Sequence, residues 1–249
     1  PTISYCPLSG EKFSRSMMTP LTPQAVLSLV QVGYPVDAVF RLCVKSVNGV
    51  FNQSGASSLK RAADPSFVPL LEALRRIQLS GAVALRAEKH GDEETALVVM
   101  RAGHSAELEA DRDTVARILG LQKADEYKVV FGMLSSHGGE IALLTRSMLE
   151  IMGELAAGID VPESEIAELR VTPPPSFDGA AALPPMLRVR CADKAPADAF
   201  AAASYRGRRF WIDDRDIPSK RVFAFVTLLF SLAETGGSPN LPVLTIPTG

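Results

Sequence analysis

Residues 138–159, GGEIALLTRSMLEIMGELAAGI, and residues 207–232, GRRFWIDDRDIPSKRVFAFVTLLFSL, decide the fold class of this chain. Each runs from a glycine turn through a strand to a charged joint, holding Arg146 or Arg215, and then into an apolar helix. A strand precedes each turn: EYKVVFGMLSS before the first, AFAAASY before the second. The pattern reads as a strand–strand–helix unit used twice. Short turns favour antiparallel pairing, and an apolar helix after each pair needs a sheet face to cover. The expected fold is therefore α+β, built of mostly antiparallel strand–strand–helix units with helices packed on one face.

The joint of the second unit, DDRD at 213–216, crowds three carboxylates and invites a metal or acid/base reading. Alternation along a strand ending at Asp213 or Asp214 sends neighbouring side chains to opposite faces. Asp216 lies two residues before Pro218, which suits a helix cap that accepts backbone N–H groups at the positive end of the helix dipole. Arg215 and Lys220 neutralise the rest. An EF-hand loop needs alternating oxygen ligands, a central glycine and a terminal glutamate, which this segment lacks. Asp216 is expected to cap the helix, with solvated charges around it and no metal. Within that helix Val222, Phe223, Val226, Leu229 and Phe230 are expected in the core, where Phe→Ala costs about 3–5 kcal/mol. Its uncharged run, Val222 to Ala233, falls short of the ~20 residues of a membrane span.

Upstream, PTISYCPL alternates like an edge strand fenced by Pro1 and Pro7. TPLTPQAVLSLVQVGYP is a helix with Thr22 as cap, Pro23 in the first turn and Gly33 as stop. VDAVFRLCVKSVNGVFN has helical spacing, although its β-branched residues leave a strand open. DPSFVPLLEALRRIQLSG reads as a helix capped by Asp64, with Pro65 first and Leu70, Leu71, Leu74 and Ile77 on one face. AVALRAEKHGDEETALVVM is a hairpin turning near His90-Gly91-Asp92, Val83 and Leu85 being answered by Leu97 and Val99. DRDTVARILGL is a short helix with Asp111 or Asp113 near its start. The proline-rich stretch from Val161 to Pro185 is an exposed connection, and the tail NLPVLTIPTG suits another edge strand.

At 249 residues the chain suits a single α+β domain, which the stretch near 160–185 can divide into two sub-domains. A net charge of −2 and a pI near 6.0 argue against a nucleic-acid partner. One tryptophan and 6% aromatic residues make a poor stacking platform. Cys6, Cys43 and Cys191 form no CxxC pair, and their odd number leaves one unpaired. The chain opens without an initiator methionine, a basic n-region or an apolar h-region, so it reads as a mature or truncated product whose upstream segment is missing.

Chemistry-bearing motifs are sparse. His90, His104 and His137 all sit beside glycines in expected turns, and no HxxxH, HxH or HExxH spacing joins them. GxSxG, GxGxxG and GxxxxGK[ST] are absent. SSHGGE offers backbone amides to an anion, but a plain turn explains it. No cofactor, metal ligand or catalytic residue is assigned. The candidate interaction surface is the hairpin SYRGRRFW, where Arg206, Arg208 and Arg209 gather beside Tyr205, with Trp211 packed inward.

Four blocks carry a family resemblance: PTISYCPLSGEKFSRSMMTPLTP, GYPVDAVFRLCVKSVNGV, LLTRSMLEIMGELA and YRGRRFWIDDRDIPSKRVFAFVTLLFSL followed by PVLTIP. Together they resemble uncharacterised envelope proteins of Gram-negative bacteria, described as hypothetical proteins or lipoproteins. The resemblance implies a secretory signal and a lipid-modified cysteine upstream of Pro1. Cys6 is not that residue, since no apolar stretch precedes it. The implied setting is the periplasmic side of the envelope, anchored at the outer membrane. The role expected there is non-enzymatic, a structural or interaction module with an envelope protein or a second copy as partner. The alternative is a small-molecule binder or hydrolase whose site assembles from distant loops, with Ser135, His137 and Asp178 in a deep polar pocket.

Overall fold

A computed structural model describes residues 10–55, 60–90, 93–101, 105–175 and 183–234 of the chain. Helix α1 (Gly10–Phe13) runs into a π-helical turn, Ser14–Met18, that ends before Thr22. The Thr22 hydroxyl accepts the Ala25 N–H at 3.2 Å, and Pro23 opens α2 (Pro23–Gln31) as expected. Gly33 takes a positive φ of 106° just past its end. The ambiguous stretch that follows is both of its readings in turn: α3 (Val36–Cys43), then β1 (Val44–Val47) and β2 (Val50–Phe51). Asn48 and Gly49, both at positive φ, make the tight turn between the two strands.

Helix α4 (Phe67–Leu79) starts later than expected. Ser66 stands at its N-cap position without a side-chain cap bond, and the Asp64 carboxylate instead accepts the Phe51 N–H at 2.8 Å and pairs with Arg61 at 3.0 Å. Strands β3 (Val83–His90) and β4 (Glu93–Met100) pair antiparallel as expected; the turn residues themselves lie outside the described residues. The register sets His90 opposite Glu93, which puts Val98 and Met100 across from Leu85 and Val83. Those two, with Ala96, are buried, so the inward face of β4 is the one that lacks Leu97 and Val99. Helix α5 (Ala106–Leu119) begins well before Asp111, capped by the Ser105 hydroxyl on Leu108 N–H at 3.2 Å. Asp111 and Arg112 are buried within it because each has a charged partner: Arg76 at 2.7 Å and Asp125 at 2.8 Å.

Strands β5 (Glu126–Phe131) and β6 (Glu140–Thr145) depart from the hairpin that the sequence suggests. They pair parallel, Lys128 opposite Glu140 and Phe131 opposite Leu143. Residues 132–139 therefore run back along the sheet. The Glu140 carboxylate secures them by accepting the Ser136 hydroxyl and the Ser136 N–H at 3.1 Å. Leu134 rests so close to Gly49 that a Cβ there would lie 2.8 Å from its Cδ2. The antiparallel neighbour of β6 is β1, and the Asn48 side chain locks the two by accepting Ala142 N–H at 2.6 Å and donating to Glu140 O at 3.2 Å, while its donation to Leu119 O at 2.8 Å ties in the end of α5. The resulting sheet has the order β2-β1-β6-β5-β4-β3.

The capping box of Ser147 and Glu150 starts α6 (Met148–Ala156). A short α7 (Glu163–Ala167) interrupts the connection to β7 (Arg190–Ala192), β8 (Ala201–Tyr205) and β9 (Arg208–Ile212). These form a separate antiparallel sheet in the order β7-β9-β8, before α8 (Ile217–Glu234). The two late units thus share sequence order but not strand pairing: one pair is parallel inside the large sheet, the other an antiparallel hairpin in the small one. The fold class is α+β, with helices packed against mixed and antiparallel sheets.

One apolar core joins both parts, running from Val26, Phe40, Phe67 and Leu143 to Leu187, Ile212, Phe225 and Leu229. Phe225 and Leu229 carry the buried face of α8, and Phe225 stacks on Tyr34 with ring centroids 4.8 Å apart. Phe223 is 41% exposed and meets Phe200 edge-on, which corrects its expected core position. No helix among the described residues is long and apolar enough to cross a membrane.

Candidate functional site

The small sheet presents the arginine hairpin. Its two-residue turn places Tyr205 opposite Arg208, with Arg206 and Gly207 at φ of 49° and 77°. Positive φ at both positions is the type I′ geometry that suits the right-handed twist of the strands, and it favours Asn-Gly over Arg-Gly. Arg206 thus occupies a strained place while its side chain stays about half exposed, 5.4 Å over the Tyr205 ring and 3.9 Å from Glu165. Arg208 pairs with Asp193 at 3.2 Å, and Arg209 donates to the Ser204 hydroxyl. Trp211 is half-buried, set between Arg190 and Ala202 by the register.

Strand β8 is an outer strand of that sheet, and Ala202, Ala203, Ser204 and Tyr205 are all exposed. Since neighbouring residues face opposite ways, β8 is bare on both faces. The hairpin geometry turns the backbone groups of Ala201, Ala203 and Tyr205 toward β9 and those of Ala202 and Ser204 toward the outer edge, which pairs with no strand among the described residues. Charge, proline and bulges are the usual protections of such an edge, and AAASY carries no charge and no proline.

The carboxylates of DDRD have separate duties. Asp213 accepts Arg215 N–H at 2.9 Å, and Asp214 pairs with Lys220 at 2.7 Å. Asp216 caps α8, accepting Ser219 N–H at 3.1 Å and the Ser219 hydroxyl at 2.8 Å. The backbone bond first, then the hydroxyl, holds the Asp216 carboxyl below the usual carboxylate range.

Of the loop triad, Ser135 and His137 lie in the 132–139 return, and Asp178 falls outside the described residues. Nδ1 of His137 accepts Gly139 N–H at 3.1 Å, and its Nε2 faces Glu140 at 3.4 Å. The hydroxyl that reaches this cluster is that of Ser136, not Ser135. These contacts fold the return loop.

Two features escape the sequence reading. Arg146, 3% exposed, donates to the carbonyls of Arg41 at 2.8 Å and Leu42 at 3.1 Å, and to that of Gln53, beside Glu154. Cys43 lies against this cluster with its thiol pushed up to about 12 by burial, an unreactive core residue. The second feature is a cavity of about 300 Å³ between the inner face of the large sheet and α2, α3 and α4. Val98, Met100 and Ile141 line the sheet side, and Leu27, Leu74 and Ile77 the helix side. Each wall comes from a different element, so no local motif announces it.

Comparison of the chain with protein-family profiles, curated proteins and solved structures finds no match.

Proposed function

We propose that this chain is a non-enzymatic interaction module that docks a partner strand along the outer edge of β8, with Tyr205 and Arg206 gripping the partner at the turn. The single observation that supports this most is the exposed, uncharged β8 leading into a turn with a strained arginine. Edge strands of this kind recruit partners through main-chain hydrogen bonds, and aromatic and arginine side chains supply much of the energy at interfaces. Arg206 and Arg209 suit a partner with acidic residues near the turn.

A photo-crosslinking residue at Ser204, in the full-length protein made in cells, is expected to give a discrete adduct. Mass spectrometry of the adduct identifies an envelope protein or a second copy. Ala202→Pro removes an outward N–H without disturbing the β8–β9 ladder, and is expected to abolish the adduct while the thermal midpoint holds. An adduct unchanged in Ala202→Pro, or no more adduct than from Lys128 on the large sheet, would sink the reading.

The setting we propose is the periplasmic side of the envelope, behind an N-terminal lipid anchor, and the support for it is the family resemblance. Cell fractionation and incorporation of labelled palmitate into the full-length protein test it. A soluble, unlabelled product overturns that part.

A further inference from the structure

The cavity beneath α2, α3 and α4 combines an apolar interior with one unused donor at its rim. Among the described residues no charged side chain lines it, and its polar side chains are Gln31 and Gln78. The Gln78 amide is spent: it donates to Val30 O at 3.1 Å and Tyr34 O at 2.8 Å, and it accepts from Val36 N–H at 3.0 Å and Arg75 at 2.7 Å. Gln31 is exposed and differs. Its carbonyl accepts Leu85 N–H at 2.6 Å, which holds the amide against the outer strand β3. Among the described residues its NH₂ group makes no hydrogen bond.

We propose that this cavity binds a small uncharged molecule with an apolar body and an acceptor oxygen at one end, such as a medium-chain ketone or ester. The body lies between Leu27, Leu74, Ile77, Val98 and Met100, and the oxygen accepts from the Gln31 amide. A charged group drawn into this lining would lose its hydration with no counter-charge to replace it. An apolar pocket of this volume stands at the lower end of those that hold ligands, which limits the occupant to a small molecule. Apolar cavities exclude water and take up apolar guests for the same reason.

The test is a fluorescence titration of the whole chain with N-phenyl-1-naphthylamine, an uncharged apolar probe. A single saturable site is expected, with binding roughly tenfold weaker in Val98→Phe, which fills the cavity from the sheet side. If Val98→Phe fails to fold by circular dichroism, Leu74→Phe fills it from the helix side. Displacement by 2-nonanone is expected to be about fivefold stronger than by nonane, and the two should become equal in Gln31→Leu. Absence of saturable binding, or binding undiminished in the folded filling variant, overturns the site and puts the probe on an outer apolar face such as that of α8. Equal displacement by ketone and alkane in the unaltered protein overturns the polar end of the assignment.

Discussion

Arg146 lies 3.6 Å from Glu154 with its guanidinium enclosed by the end of α3, and this pair ties three parts of the molecule together. Its donors reach the last carbonyls of α3 and the carbonyl of Gln53, while Glu154 also accepts the Ser54 hydroxyl at 2.9 Å and Gly55 N–H at 3.0 Å. Arg146→Ala leaves buried carbonyls without their donor and the Glu154 carboxylate without its counter-charge. The expected cost is about 3–5 kcal/mol, measured by urea denaturation. A loss below about 1 kcal/mol would show that water takes over the role of the guanidinium.

The Asp216 cap has a defined pH signature. Its folded-state pKa is depressed, so its stabilisation is present above the unfolded carboxylate value of about 3.9 and is lost as pH falls through the folded value. Asp216→Ala is expected to cost about 1 kcal/mol at neutral pH, with the deficit shrinking under acid conditions. Asp216→Asn should retain most of the cap. A deficit that does not change with pH would mean that the carboxylate's charge has no part in capping.

Helix α8 discriminates its two phenylalanines. Phe225→Ala is expected to cost about 3–5 kcal/mol and Phe223→Ala about 1 kcal/mol or less, since only the former fills the core. Thermal unfolding of both variants checks the rotation of the helix, and equal losses would contradict it.

Gly158 is a close-approach position. A Cβ there would lie 1.7 Å from the Leu187 carbonyl oxygen, a backbone atom held by the ladder in which Val189 N–H donates to Gly158 O at 2.9 Å. Gly158→Ala is expected to destabilise by at least about 2 kcal/mol and to loosen the segment that leads into β7. Hydrogen exchange at Val189 and Asp160 should rise with it.

Much of the local structure was legible. Thr22-Pro23, Asp216 and Arg206-Gly207 each act within a few residues, through a cap or a turn whose chemistry is complete in the segment itself. The Asn48-Gly49 turn was equally legible by its residue types, but the helical spacing upstream obscured it. The face of α8 was not legible, because apolar residues surround most of its circumference and leave no polar stripe to orient it. The partner of β5 was not legible either, since a short glycine-rich loop reads as a hairpin unless something holds it folded back.

From sequence alone came the α+β class, most of the longer elements, the Thr22 and Asp216 caps and the arginine hairpin, all consequences of interactions a few residues apart. Tertiary structure alone decided the parallel β5–β6 pair, the burial of Arg146, the exposure of β8 on both faces and the cavity under the helices. Those depend on groups brought together from distant elements: Glu140 closing a loop, Gln53 and Glu154 receiving Arg146, three helices standing off one sheet. Their contact energies exist only after the chain has packed, so no window of sequence contains them.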